Sequence, residues 1–279
     1  MSKRIGFFIY GVISYAIFFA TFLYAIGFIG GFAVPTTLDG PARVPLAQGI
    51  AIDAGLLALF AIQHSVMARG WFKKRWTRIV PQSIERSTYV LLSSLALILV
   101  FWQWRPLGGI VWSVHDPVGR VVLRSLFGFG WALVLVATFL INHFDLFGLR
   151  QVWLFLRNKP YTKLQFGTPG PYRLVRHPLY VGWFFAFWMT PTMTYAHLLF
   201  ALATTGYILI AIQFEERDLI REHGEAYEDY RRAVPMLVPF TRGATASRQK
   251  LERIGAAAFI AFLIKGVVWL AIAGAALWR

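Results

Sequence analysis

The chain alternates between long apolar runs and short polar segments that are rich in arginine and lysine. About 20 apolar residues are enough to cross a bilayer as a helix. The predicted spans are Ile5–Ile29, Leu46–Met67, Ser87–Trp104, Ser125–Ile141, Ala196–Phe214 and Ile254–Leu277. Tyr180–Thr190 is too short for a comfortable span, so it is predicted to form a helical hairpin with the run from Ala196. The pattern predicts an all-α fold, a polytopic transmembrane helical bundle.

The same pattern divides the chain into three parts. Residues 1–142 are predicted to form a four-helix transmembrane half. Residues 143–240 hold a loop, the hairpin and an amphipathic segment, and they carry most of the polar groups that suit chemistry. Residues 241–279 are predicted to form a basic linker and a final transmembrane helix. We therefore look for function in the second part.

Composition and charge favour a membrane protein over a nucleic-acid-binding one. Hydrophobic residues make up 57% of the chain and charged residues 15%. Most of the 28 basic residues behind the net charge of +15 fall in predicted loops on the side of the N-terminus. The positive-inside rule explains this asymmetry and predicts that the N-terminus and the polar motifs face the cytoplasm. The chain contains no cysteine, which excludes thiolate catalysis and thiolate metal ligands.

One motif places ionisable groups where a short apolar segment begins: Arg176-His177-Pro178-Leu179-Tyr180. Ionisable groups near a bilayer are costly and are a functional-site hypothesis by default. Pro178 suits the first turn of a helix because it has no N–H that would be left unpaired. The motif therefore predicts that Arg176, His177 and Tyr180 gather at a helix N-terminus, whose free N–H groups attract anions.

Acidic and aromatic side chains follow where the next apolar run ends, beginning with the adjacent Glu215 and Glu216. If segment 215–234 is helical, one face carries Glu216, His223, Tyr227 and Tyr230. This face offers a carboxylate, an imidazole and two phenols to a ligand. The alternative is an interfacial helix with tyrosines at headgroup depth. A break at Gly224, which weakens a helix, would separate the shared face.

Two spans of the first half also end in polar groups on the same predicted side. His64 ends the second span, and Asn142, His143 and Asp145 follow the fourth. They are candidate catalytic groups, although a histidine at a helix end is often structural. We predict no metal site, because no span pairs a histidine with another ligand at helical spacing. A haem protein with His64 and either His143 or His177 as axial ligands stays open as an alternative.

Several ordered motifs carry a resemblance to known families. The Arg-His-Pro-Leu-Tyr motif, the Glu-Glu pair and the segment from His223 to Pro235 resemble the C-terminal module of isoprenylcysteine carboxyl methyltransferases and phospholipid methyltransferases. Two upstream signatures resemble the nurim family and, within it, the bacterial methanethiol S-methyltransferases. These signatures are Gln63-His64-Ser65-x-Met67-Ala68-Arg69 and Asn142-His143-Phe144-Asp145-Leu146-Phe147-Gly148-Leu149-Arg150-Gln151.

The resemblance implies S-adenosyl-L-methionine as cofactor, bound within the C-terminal module on the cytoplasmic side of a bacterial inner membrane. Its carboxylate would meet Arg176 or the N–H groups at Pro178–Tyr180. Its ammonium and ribose would meet Glu215 or Glu216, and His177 and His223 would bind the adenine or ribose. Its sulfonium would lie against an aromatic face, for which the candidates are Tyr180, Tyr227 and Tyr230.

The same resemblance implies a small volatile thiol, methanethiol, as the acceptor and dimethyl sulfide as the product, both exchanging with membrane lipid. A thiol is mostly protonated at neutral pH, so a base is needed. The candidate bases are His64, His143 and Asp145. Another thiol, an amine or a prenylcysteine carboxylate remains an alternative acceptor, and a non-enzymatic nurim-like protein remains an alternative function. The oligomeric state is left open.

Overall fold

The computed structural model describes residues 1–239, so the predicted basic linker and final helix lie outside the described residues. Ten α-helices and two short strands are present in this part of the chain. In order they are α1 Ser2–Gly30, α2 Leu46–Ala68, α3 Gly70–Trp76, α4 Gln82–Gln103, β1 Ile110–Ser113, α5 Pro117–Ile141, α6 His143–Leu146, α7 Leu149–Leu156, α8 Pro178–Trp188, β2 Thr192–Thr194, α9 Tyr195–His223 and α10 Glu225–Ala233.

The predicted membrane spans of this part of the chain are confirmed. Five described helices (α1, α2, α4, α5 and α9) are long and apolar enough to cross a bilayer. The helices extend past the apolar runs where capping signals allow it. Helix α5 begins at Pro117, eight residues before the predicted span, because Asp116 caps it by accepting a hydrogen bond from the Gly119 N–H at 2.6 Å. The chain is a multi-pass membrane protein.

Helix α8 packs mainly along α5, and two glycines make this close contact possible. A Cβ added at Gly130 would lie 2.6 Å from the Ala186 nitrogen, and one added at Gly182 would lie 2.8 Å from the Gly130 oxygen. Small residues let transmembrane helices approach until their backbones touch. The crossing therefore fixes α8, and with it the motif at its N-terminus, against the first half of the chain.

The predicted hairpin is formed by α8 and α9, with an extended segment between them. This segment includes β2, which pairs antiparallel with β1 in the loop before α5. At this end of the bundle the His197 Nδ1 lies 3.2 Å from Asp39 Oδ2, and the Thr194 hydroxyl donates to the other Asp39 oxygen. The His197 Nε2 lies 3.0 Å from the Phe187 carbonyl oxygen. We call Asp39, Thr194 and His197 the distal clasp.

Segment 215–234 is not one helix, and a single continuous helical face there was the wrong expectation. Helix α9 continues from the membrane span as far as His223, and the chain then turns at Gly224, where φ is +57°. Glycine takes this left-handed conformation without steric cost. Helix α10 follows in a new direction, which brings its tyrosines back toward the start of α8.

Candidate active site

The predicted cluster at the start of α8 is present and is held by Glu216 from α9. Arg176 donates to Glu216 Oε1 through Nε at 2.7 Å and through Nη2 at 2.6 Å, and the His177 Nε2 lies 3.2 Å from the same oxygen. All three side chains are almost fully buried. Burying an ion pair is tolerated only when its geometry and hydrogen bonds are good, and this network meets that condition.

The hydrogen bonds of Arg176 connect several segments of the protein. Its Nη1 donates to the Arg231 and Val234 carbonyl oxygens at 3.1 Å and 2.6 Å. The Arg176 N–H also donates to the Pro235 oxygen, and the His177 N–H to the Met236 oxygen. The guanidinium therefore ties α8 to α9, α10 and the segment after α10, and its donors are already engaged.

Glu215 differs from its neighbour Glu216 because it remains accessible. The Tyr180 hydroxyl donates to Glu215 Oε2 at 2.8 Å, and the Glu215 side chain is 43% exposed. A carboxylate has about four acceptor positions, so most of those on Glu215 stay open to a ligand. Glu216 therefore holds neighbouring segments together, whereas the charge of Glu215 is accessible to a ligand.

An aromatic shelf, made of Phe166, His223, Tyr227 and Tyr230, lies beside these groups. The Phe166 ring centroid lies 5.1 Å from that of His223, 5.8 Å from Tyr227 and 5.5 Å from Tyr230. The Tyr230 hydroxyl donates to the Tyr172 carbonyl oxygen at 2.6 Å. Burial raises the pKa of Tyr230 to about 12, so its phenol stays neutral at physiological pH. Contacts with Phe166 thus keep His223, Tyr227 and Tyr230 in one cluster, although the chain turns at Gly224.

A cavity of about 1280 Å³ opens between this shelf and the ends of α1, α4, α5 and α9. It is lined by part of the predicted set: Asp145, Arg176, His177, Glu215, His223, Tyr227 and Tyr230. Two of the lining tyrosines, Tyr172 and Tyr227, have buried hydroxyls without a hydrogen-bond partner among the described residues. An unsatisfied buried hydroxyl is costly, and buried groups of this kind are candidates for ligand contact.

The remaining predicted residues lie outside the cavity lining: His64, Asn142, His143, Pro178, Tyr180 and Glu216. His64 is nevertheless close behind it. Its ring nitrogens lie 2.9 Å and 3.0 Å from the Tyr89 hydroxyl, and its ring stacks on Phe60. The guanidinium of Arg86, which lines the cavity, lies over the Tyr89 ring at 5.2 Å. Tyr89 therefore lies between His64 and Arg86, which forms part of the cavity wall.

His143 belongs to a different environment, and the structure does not bring it to the cavity. Its Nδ1 lies 2.8 Å from the Thr138 hydroxyl, and its Nε2 lies 2.8 Å from the Tyr15 hydroxyl. Its ring stacks on Phe139 with centroids 4.2 Å apart. Burial lowers the pKa of the His143 imidazole. Both ring nitrogens have partners within the protein, and none of the side chains in contact with the ring lines the cavity, so we interpret His143 as a structural histidine.

Asn142 and Asp145 shape the turn after α5. Asn142 has φ +128°, and its side-chain oxygen accepts from the Asp145 N–H at 3.1 Å. Asp145 forms an ion pair with Arg150 at 2.9 Å and accepts from the Tyr161 hydroxyl at 3.3 Å. Asp145 thus reaches the cavity with its charge already neutralised by Arg150, whereas Asn142 acts as a helix cap.

The sequence pattern did not single out several residues that line the cavity. Phe166 and Tyr172 lie in the proline-containing loop before α8, while Lys73 and Arg86 lie in the basic segment around α3. No local motif distinguishes these residues from their neighbours, because only tertiary packing brings them to one place. Among the described residues, no group of three histidines or acidic residues is arranged to hold a metal ion.

Comparison with known proteins assigns the family. A methanethiol S-methyltransferase of Crocosphaera subtropica is 60% identical over 232 residues, which cover 83% of this chain and 91% of that protein. One from Mycobacterium tuberculosis is 56% identical over 238 residues, covering 85% and 98%. Mouse nurim is 32% identical over 186 residues, covering 62% and 69%. No family model and no solved structure matches the chain. The chain belongs to the methanethiol S-methyltransferase family, which is related to nurim.

Proposed function

We propose that the protein transfers a methyl group from S-adenosyl-L-methionine to methanethiol and releases dimethyl sulfide. The observation that carries this proposal is the cavity, which joins an open carboxylate (Glu215), the aromatic shelf and two phenols that have no hydrogen-bond partner in the described part of the chain. The relatives at 60% and 56% identity, both named as methanethiol S-methyltransferases, support the acceptor.

The chemistry of the lining residues suits this methyl donor. Glu215 would receive the ammonium or the ribose hydroxyls, since its second oxygen has no partner among the described residues. The hydroxyls of Tyr172 and Tyr227 would gain partners on the polar edges of the nucleoside. The shelf around Phe166 offers faces for the adenine and for a cation. When bound, the donor supplies an electrophilic methyl group on a sulfonium.

The protein's own task is to hold a thiolate in line and keep water away. Reaction of a thiolate with a sulfonium neutralises charge, so a dry aromatic surrounding favours the transition state over the charged reactants. His64 is our first candidate for accepting the thiol proton, because it lies one residue behind the cavity wall in contact with Tyr89. Asp145 is the second, since it lines the cavity.

Two predicted site residues take supporting roles in this proposal. Arg176 and Glu216 are positioning residues that fix the start of α8, because their contacts are satisfied within the protein. We assign His177 to cofactor binding, because it lines the cavity. His143 and Asn142 are assigned to the shape of the turn after α5.

Orientation follows from charge. The cavity end of the bundle carries most of the loop arginines and lysines among the described residues, and the positive-inside rule supports our proposal that this end faces the cytoplasm. Methanethiol and dimethyl sulfide are small and apolar, so they would enter and leave through membrane lipid. We propose the inner membrane of a bacterium as the location, because the relatives at 60% and 56% identity are bacterial.

The size of the cavity favours one second candidate, a larger apolar thiol as acceptor. Ligand pockets commonly measure about 300 to 1000 Å³, whereas this one measures about 1280 Å³. A series of straight-chain alkanethiols separates the two candidates. A kcat/KM that is highest for methanethiol supports the first acceptor, and one that rises with chain length supports the second.

Binding of the methyl donor is the first experiment. Purified protein should melt at a higher temperature in saturating S-adenosylmethionine or S-adenosylhomocysteine, because ligand binding to the folded state stabilises it by mass action. Glu215→Gln should reduce this shift, while Glu225→Gln, an exposed glutamate at the start of α10, should preserve it. Absence of any shift at saturating ligand would contradict the proposal and favour a non-enzymatic role.

A further inference from the structure

The cations that line the cavity fall into three groups. Arg176 is neutralised by Glu216, and Lys163 by Glu222 at 2.9 Å. Lys3, Lys159 and Arg173 are exposed to solvent, where water stabilises their charge. Lys73 and Arg86 are partly buried, and neither forms an ion pair with any described residue. These last two side chains are the unneutralised cations of the cavity wall.

Lys73 and Arg86 lie close enough to repel each other. Burial, followed by the charge of the Arg86 guanidinium, lowers the pKa of the Lys73 ammonium. The charge of Arg69 also lowers this pKa, whereas the charges of Glu85 and Asp218 raise it. Arg86 uses its Nε to donate to the Leu146 oxygen at 2.8 Å, and its face covers Tyr89. Its terminal nitrogens have no hydrogen bond among the described residues. An anion between the two cations would relieve their repulsion.

Acidic side chains of α9 line another part of the cavity. Glu215, Leu219 and Glu222 line it from one face of α9, at the spacing of successive helical turns. Glu222 is within electrostatic range of Lys73, so the acidic and basic walls face a common space. A ligand that carries an ammonium and a carboxylate on one short chain matches this arrangement, with its ammonium toward α9 and its carboxylate toward α3 and α4.

We propose that Lys73 and Arg86 form the binding site for the amino-acid carboxylate of the methyl donor. This inference rests on the proposed function, and it gives this carboxylate to residues other than Arg176 and the N–H groups at Pro178–Tyr180, which the resemblance implied. It also makes the cofactor site a product of both halves of the chain, because Lys73 lies in α3 and Arg86 near the start of α4. Glu215 and the aromatic shelf bind the other groups of the same ligand.

The test varies the ligand and the protein together. Decarboxylated S-adenosylmethionine lacks the carboxylate but keeps the ammonium, the sulfonium and the nucleoside. Titration calorimetry of the wild-type protein should show S-adenosylmethionine binding about 10- to 100-fold more tightly than this analogue, as expected for charge-assisted hydrogen bonds. Lys73→Met and Arg86→Met should each reduce this ratio about tenfold, without weakening binding of the analogue.

Two controls separate this effect from general damage. Lys74→Met changes the exposed neighbour on the same short helix, which does not line the cavity, and should keep the wild-type ratio. Lys73→Arg keeps the positive charge and should keep most of the ratio. Lys73 has no ion-pair partner in the described chain, so Lys73→Met is expected to fold.

The outcomes distinguish the two proposals. If the wild-type protein binds both ligands equally tightly, or if Lys73→Met and Arg86→Met weaken both ligands alike, the carboxylate site is wrong while donor binding stands. If the wild-type protein binds neither ligand, the proposed function fails and the carboxylate site fails with it. A ratio that collapses only in the Lys73 and Arg86 variants supports the assignment.

Discussion

Helix α9 contributes one residue to a histidine–carboxylate pair near each of its ends, and the two pairs have different surroundings. At the distal clasp, His197 contacts Asp39 on one side and the Phe187 carbonyl on the other. At the cavity end, His177 contacts Glu216, and both His177 and the neighbouring Glu215 line the cavity. Helix α8 connects the two ends, because it begins after His177 and contains Phe187.

The comparison shows that a histidine–carboxylate pair with a buried histidine does not by itself identify a ligand site. Both pairs are almost fully buried on the histidine side, and both satisfy their histidine within the protein. Among the described residues, only the cavity end combines the pair with an open carboxylate, partly buried cations that lack an ion pair and phenols that lack a hydrogen-bond partner. We therefore expect loss of stability from damage at either end, and loss of ligand binding only from damage at the cavity end.

The largest effect is expected from removing Glu216. Glu216→Ala leaves the buried Arg176 without its counter-charge, which costs about 3 to 5 kcal/mol in comparable pairs. Asp39→Ala removes a partly exposed acceptor, and we expect about 1 to 2 kcal/mol. Unfolding measured in detergent checks the order, and cofactor titration of the folded fraction should be impaired only for Glu216→Ala. If both variants bind the cofactor equally well, the proposed difference between the two ends of α9 is wrong.

The second effect separates two histidines that look alike in the sequence. His64→Ala should lower methyl transfer by about 100-fold or more, as expected for loss of a proton acceptor. The loss should shrink as the pH rises toward the pKa of the thiol, because solution then supplies thiolate. His143→Ala should reduce stability and leave the rate per folded molecule nearly unchanged, because Thr138 and Tyr15 already occupy the ring. A pH-independent loss for His64→Ala would make it a positioning residue.

The apolar pattern predicted much of the fold because burial in lipid selects long hydrophobic helices. It could not predict where those helices end in water. Helix α9 runs past Phe214 to His223, and α5 begins at Pro117, since caps and tertiary contacts decide these limits. The site motif at Arg176–Tyr180 was predicted correctly as a helix start. The partners of each side chain were not predictable, because they come from distant segments.

A substitution that loosens the contact between α5 and α8 should affect both ends of α9, because α8 connects them. Gly182→Val places its Cβ against the Gly130 backbone, which cannot move aside as a flexible side chain does. We expect about 1 to 3 kcal/mol of destabilisation, as in other overpacked contacts. Thermal unfolding measures this loss, and Gly128→Val, at a glycine with open space around it, is the matched control. A neutral Gly182→Val would show that α8 is not fixed by this crossing.

The smallest predicted effect is a gain in stability of the free protein together with weaker binding of the ligand. Tyr227→Phe removes a buried hydroxyl that lacks a partner among the described residues, so the free protein should gain about 1 kcal/mol of stability. The same change should weaken S-adenosylmethionine binding, because the hydroxyl is then missing from the cavity wall. Thermal unfolding with and without ligand gives both signs in one experiment. Tyr195→Phe, at an exposed tyrosine near the distal clasp, should change neither value.

The most direct test of the central claim is isotopic. Purified protein is incubated with methanethiol and S-adenosylmethionine that carries a deuterated methyl group, and the headspace is analysed by mass spectrometry. We predict dimethyl sulfide with one deuterated and one ordinary methyl group, at a rate that falls sharply in Glu215→Gln and far less in Asp39→Ala. Absence of the labelled product, or its equal loss in both variants, would contradict methyl transfer at the cavity end of α9.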